Sequence, residues 1–317
     1  MAVCLRCGKQ SAQPGELCSC GKSYTVCDNQ EKDPLGLLGR LISDKFVPIM
    51  LYRAGKSTVS YELYQLIVDR RLTLNVLRPE LYAQEKYQKL AKSFIDCYTN
   101  VKQQNTPTLL EVIELPDLKT LSATSDVQRG EDLLDYLQHN EIEPIDLIHI
   151  IHQMLQATSA FHRNGLRARH ISPHNLRIIR SGNDTNFLRL RGFLENDITF
   201  CDEPTTTRDD VADVAQIALS LLTGNEIPVT DFELPADRSY LAPIVQLFAE
   251  ATANYETCTE MLNAFETAFD LNTREAEKPK PAAVADAPAP EPSKPKTRTP
   301  VSFEQIIWMH RPPQSDF

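Results

Sequence analysis

The chain has 317 residues, 42% of them hydrophobic and 24% charged, a globular composition long enough to bury a sizeable core in one large domain or two modest ones. Its formal net charge of -10 leaves no excess of Lys and Arg to neutralise phosphates, which argues against nucleic acid or an anionic membrane surface as partner. The opening MAVCLRCGKQ has no apolar signal core, and the longest apolar run, VADVAQIALSLL, is too short for a bilayer and carries Asp213; the chain reads as soluble and cytoplasmic.

Residues 1–27 hold five of the eight cysteines: Cys4, Cys7, Cys18, Cys20 and Cys27. Clustering of this kind points to a local metal site, not to a disulfide framework. Cys4-x2-Cys7 and Cys18-x-Cys20 are each followed by Gly-Lys, as in a thiolate knuckle whose turn needs a glycine backbone. Four thiolates suit tetrahedral, structural Zn2+. The second pair is one residue tighter than a Cys-x2-Cys pair, so Cys27 is an alternative to Cys18 as fourth ligand. No His or carboxylate sits in the knuckles, so a catalytic zinc is not expected.

A linker, residues 28–44, leads into a globular region spanning 45–270. Strand-like runs come first, FVPIMLY, RLTLNVL and LLEVIEL, with a helix from Tyr82 to Tyr98 between the second and third. Beyond Gly130 the pattern turns helical, with apolar residues at three-to-four spacing through EPIDLIHIIHQMLQATSAFHRNG. Strands followed by helices predict an α+β fold of two unlike lobes. Residues 271–300 contain a Pro/Ala/Lys-rich run that cannot build a core and reads as a disordered linker. The last segment, 301–317, carries the only Trp, and Phe303, Ile306, Ile307 and Trp308 form an apolar cluster suited to docking on a protein.

The stretch FHRNGLRARHISPHNLRI resembles the catalytic loop of bacterial-type serine/threonine protein kinases, in which His-x-x-Gly runs into His-Arg-Asp-x-Lys-Pro-x-Asn. Here His162 and Gly165 precede Ala168-Arg169-His170, Ser172 replaces the Lys, and Pro173 and Asn175 are retained. LTLNVLRPEL resembles the strand carrying the phosphate-binding Lys, with Asn75 at that position. FLRLRGFLEN resembles the strand leading into Asp-Phe-Gly, with Gly192-Phe193-Leu194 in its place, and RDDVADVAQIALSLLTG resembles the long central helix, with Asp210 matching its buried Asp. The resemblance covers roughly 45–270 and implies a two-lobed kinase-like fold with a small β-rich N-lobe.

Phosphoryl transfer depends on positioning and on neutralising charge, and the resemblance implies that the charged set is gone. Asn75 stands for the Lys, His170 for the catalytic Asp and Gly192 for the metal-binding Asp. Aligning Val59 with the end of the phosphate-covering loop puts Tyr52, Ala54 and Ser57 at its glycine positions, with Gly55 out of phase. The Glu that partners the Lys falls near Cys97, beside Asp96, and CDEP at 201–204 is the nearest match to Ala-Pro-Glu. His162, Gly165, Arg169, Pro173 and Asp210 are scaffold residues, Asn175 is assigned to holding the loop, and His170 is read as a packed, satisfied residue.

The sequence therefore describes a pseudokinase that acts as a protein-binding scaffold or allosteric regulator, with zinc as its metal and neither ATP nor Mg2+ as ligand. Its contact elements are the zinc ribbon and the C-terminal segment. Two competing readings are an unorthodox nucleotide-binding transferase and a zinc-ribbon regulator that binds nucleic acid.

Overall fold

The computed structural model of the chain describes residues 2–11, 13–27, 32–126, 130–140, 142–180, 186–190, 194–234 and 236–269. The expectations for Gly192 and for 301–317, including Phe303, Ile306, Ile307 and Trp308, lie outside them. Three short strands come first, β1 (Ala2–Cys4), β2 (Gln10–Ser11) and β3 (Tyr24–Val26), in antiparallel order β2-β1-β3.

A five-stranded antiparallel sheet follows, in the order β4-β5-β6-β8-β7. Its strands are β4 (Phe46–Ala54), β5 (Thr58–Gln65), β6 (Arg70–Leu77), β7 (Leu109–Leu115) and β8 (Thr120–Asp126). Between β6 and β7 the helix expected over Tyr82 to Tyr98 is α2 (Glu85–Tyr98), and a short α1 (Pro79–Tyr82) precedes it. The break falls at Gln84, whose backbone is extended (φ -94°, ψ 127°). α2 turns Ala91, Phe94, Ile95 and Tyr98 inward, the periodicity of a helix with one apolar face.

The helical lobe contains α3 (Leu133–His139), α4 (Pro144–Arg163), α5 (Glu195–Thr199), α6 (Thr207–Thr223), α7 (Ala242–Ala249), α8 (Ala251–Asn254) and α9 (Cys258–Phe269). β9 (Glu131–Asp132), β10 (Leu176–Arg180) and β11 (Asn186–Leu190) form a small sheet in the order β11-β10-β9. α4 opens with proline at N1, where a missing N–H costs nothing, and is followed by Gly165 at φ +71°. α6 opens on a capping box between Thr206 and Asp209 and closes on left-handed Gly224. α4 and α6 run through the core of this lobe and bury Ile151, Met154 and Leu155 with Val211, Val214 and Leu222.

A second core joins the cysteine-rich module to the five-stranded sheet. Val3, Leu5 and Cys27 pack with Phe46, Val47, Tyr61 and Leu63. The stretch read as a linker differs from that expectation. Leu37, Leu38 and Ile42 are buried in the same core, and Asp33 accepts hydrogen bonds from the Tyr61 hydroxyl (2.6 Å) and the Leu38 N–H (2.8 Å). Apolar side chains of this size bury whenever a complementary face is adjacent, and the β4 end of the sheet supplies one.

Candidate functional site

The four cysteines named first lie together. Every pair of the Sγ atoms of Cys4, Cys7, Cys18 and Cys20 falls within 4.8 Å, with Cys4 to Cys20 at 3.3 Å and Cys7 to Cys18 at 3.4 Å. Four sulfurs around one ion at ~2.3 Å would stand about 3.8 Å apart, so the set fits a tetrahedral metal. Both knuckles close on backbone bonds, Gly8 N–H to Cys4 O and Gly21 N–H to Cys18 O, each 2.8 Å. The backbone N–H of Cys20, and then the Tyr24 hydroxyl, pull the Cys18 thiol down to about 5. Such a thiol offers a thiolate readily. Cys27 lies outside that set of four and is buried in the core shared with the sheet. Spacing alone could not make that distinction.

The loop between α4 and β10 is built around Asp210. Its carboxylate, on the first turn of α6, accepts the Ala168 N–H (2.7 Å) and the Arg169 N–H (2.8 Å) and pairs with His162 Nε2 at 2.9 Å. His162 Nδ1 accepts the N–H of Cys258 at 3.0 Å, so the ring proton sits on Nε2 and donates to Asp210. These bonds hold Arg169 and His170 at φ 48° and 53°, a left-handed geometry costing on the order of 1–2 kcal/mol per non-glycine residue. Arg169 turns inward, donating to Phe200 O (2.6 Å), with its Nε 3.7 Å from Asp197. Burial raises Asp197 to about 7 against the pull of Arg169, and burial followed by the Asp210 charge raises Asp213 to about 7.

His170 is the residue that the family resemblance sets at the position of the proton-accepting base. It is not packed away: its side chain is 45% exposed, and its Nε2 lies 2.6 Å from Glu203 Oε2. The ring lies against Phe200 at 4.0 Å between centroids. Glu203 belongs to the CDEP stretch, and sequence reasoning did not pair the two. Asn175 is held by its own loop: its amide donates to His170 O (3.0 Å) and its Oδ1 accepts the Ser172 N–H (2.9 Å). That is the loop-holding assignment made from sequence.

Asn75, on β6, is buried and accepts the Ser60 hydroxyl at 2.7 Å across the β5–β6 pair, where the two residues stand in register. On α2, Asp96 is exposed and Cys97 half-buried against the helical core, so neither provides a buried carboxylate beside Asn75. Tyr52 donates to Glu62 at 2.9 Å.

Glu195 is the residue sequence reasoning missed, and Gly55 the one it set aside as out of phase. Glu195 begins α5, just after Leu194 at φ 65°. Its carboxylate reaches the β4–β5 turn and accepts the backbone N–H of Lys56 (2.9 Å), Ser57 (3.3 Å) and Thr58 (2.6 Å) and the Thr58 hydroxyl (2.6 Å). A Cβ on Gly55 would stand 2.5 Å from Glu195 Oε1, so the out-of-phase glycine is the one the carboxylate requires. Contacts 137 to 139 residues apart in sequence leave no local signal.

No helix among the described residues is long and apolar enough to cross a membrane. No family model matches the chain. Over 148 residues, 46% of this chain and 22% of the other, it is 22% identical to serine/threonine-protein kinase PrkC of Bacillus subtilis (strain 168); the match thus spans about a fifth of that curated relative. Among solved structures it is similar to the PknI kinase domain of Mycobacterium tuberculosis. One form gives a TM-score of 0.53 at 16% identity over 70% of this chain and 95% of that one. A second structure of the same domain gives 0.52 at 16% identity, over 71% and 96%. The chain has the protein kinase fold.

Proposed function

We propose that this chain, a protein kinase fold with a cysteine-rich module packed on its N-lobe, is a pseudokinase that works as a protein-binding scaffold or allosteric regulator. The observation that carries the reading is the engagement of the polar residues at the reaction centre with their own loop or sheet. Asn75 is bonded to Ser60, His170 to Glu203 and Asn175 to the backbone around it. None of the three carries the fixed charge with which phosphate and Mg2+ are gripped. The residues that hold the loop, His162, Arg169 and Asp210, keep their bonds to one another.

Cys4, Cys7, Cys18 and Cys20 hold a structural zinc in this reading, and the metal fixes two knuckles that carry the first strand onto the sheet. The module and the segment 301–317, with Phe303, Ile306, Ile307 and Trp308, are the contact elements for a protein partner. Neither nucleic acid nor membrane is assigned as partner, and the protein is assigned to the cytoplasm.

The test is phosphoryl transfer itself. The full chain is incubated with labelled ATP and Mg2+ or Mn2+, alone and with a general protein substrate. The proposal expects incorporation no higher than with heat-denatured protein. Time-dependent incorporation that is lost on His170→Ala would overturn it and assign His170 as a working base.

A further inference from the structure

A buried carboxylate normally requires a cation or several hydrogen-bond donors. Glu195 is 5% exposed, and among the described residues none of the ion pairs involves it. Its partners are the consecutive N–H groups of Lys56, Ser57 and Thr58 together with the Thr58 hydroxyl. Successive main-chain N–H groups converging on one point form a concave anion receptor.

The turn that presents them is shaped from its own side. Gly55 N–H donates to Thr58 O (2.8 Å), Arg78 Nε to Gly55 O (2.8 Å) and Arg78 N–H to Ser57 O (2.9 Å). Ser57 and Thr199 hydroxyls meet at 2.7 Å and tie the turn to the far end of α5. The receptor is therefore supplied by the sheet, and its anion by the helical lobe.

We propose that the β4–β5 turn is an oxyanion-binding site whose built-in occupant is the Glu195 carboxylate, which latches the two lobes together and keeps phosphate anions out. A carboxylate and a phosphate oxygen face present the same acceptor chemistry to these donors. Displacing Glu195 therefore opens a site for a diphosphate group and frees α5 from the turn. This inference concerns the same cleft as the proposed function but rests on other residues. An active enzyme could carry the same latch, so phosphoryl transfer and anion binding fail separately.

The experiment uses the full chain, as wild type, Glu195→Ala and Glu195→Gln, with amide hydrogen exchange read over 52–60 and titration with inorganic pyrophosphate. In the wild type, the 56–58 amides should exchange slowly and pyrophosphate should change nothing. In Glu195→Ala they should exchange roughly tenfold faster or more, and pyrophosphate should bind and restore the protection. Gly55→Ala, whose Cβ evicts the carboxylate from the other side, should show the same acceleration.

Should Glu195→Ala fail to fold, Glu195→Gln keeps the side-chain length with no charge and carries the same two readouts. A folded variant with unchanged 56–58 exchange overturns the latch. Pyrophosphate that binds wild type and variant equally, or neither, overturns the site. Binding of ATP without binding of pyrophosphate would place the ligand's grip elsewhere in the cleft and also overturn it.

Discussion

Replacing Asp210 with alanine should destabilise the helical lobe by about 3 kcal/mol. The carboxylate receives two backbone N–H groups and the His162 imidazole, all within 2.9 Å, and the paired side chains of His162 and Asp210 are each 2% exposed. Each buried donor left without a partner costs roughly 1–3 kcal/mol. Two effects work the other way: the variant no longer buries a charge, and Arg169 and His170 can leave the left-handed region, recovering on the order of 1–2 kcal/mol each. Three donors at about 2 kcal/mol each, less that recovery, leave a balance of about 3 kcal/mol. Asp210→Asn should cost nearly as much, because its amide turns a donor towards donors. Urea unfolding followed by far-UV circular dichroism measures the loss, with Asn175→Ala as a milder reference of about 1 kcal/mol. A loss below about 1 kcal/mol for Asp210→Ala, with an unchanged denaturant slope, would refute the view that this residue holds the loop.

Chelation of metal, or Cys4→Ser with Cys7→Ser, should lower the main melting transition by several degrees. Val3 and Leu5 are buried in the core of the sheet, and each such side chain is worth about 1.5–3 kcal/mol; a main transition that does not move would contradict that packing. Asp197 and Asp213 sit at about 7 in the folded state, above their unfolded value of roughly 3.9. The folded chain therefore binds the extra protons, and these groups add stability that is complete below pH ~4 and lost as the pH rises through ~7. Urea midpoints of Asp213→Asn should show a flatter decline across that window than those of the wild type. Asn75→Lys combined with Gly192→Asp should not gain phosphoryl transfer, because the β4–β5 turn stays occupied by Glu195; autophosphorylation by this double variant would contradict the account.

The loop from His162 to Asn175 was legible in part because Asn175 bonds to Ser172 and His170, three and five residues away. The bond from His162 to Asp210 on the first turn of α6 spans 48 residues and was legible only through the resemblance of both stretches to one family. The cysteine cluster was legible from its close spacing. β8 was not. Its residues, TLSATSD, are those of a turn or surface strand, yet six of the seven are buried. The hydroxyls make this possible by donating to main-chain carbonyls: Thr120 to Leu77, Ser122 to Ile113 and Thr124 to Glu111. Satisfied in this way, they bury at little cost. The packing of Leu37, Leu38 and Ile42 was hidden because the partner face comes from strands further along the chain. The Glu195 contact joins two lobes, so only the folded chain brings carboxylate and receptor together.

The most direct test of a kinase fold kept without its phosphate chemistry is the thermal midpoint of the full chain with and without millimolar ATP, each with and without Mg2+. A ligand at about a hundred times its dissociation constant stabilises the native state by roughly 2.7 kcal/mol, which for a domain of this size is a rise of about 5–10 °C. The account predicts no shift under any of the four conditions. A rise of that size, above all one that requires Mg2+, would contradict it.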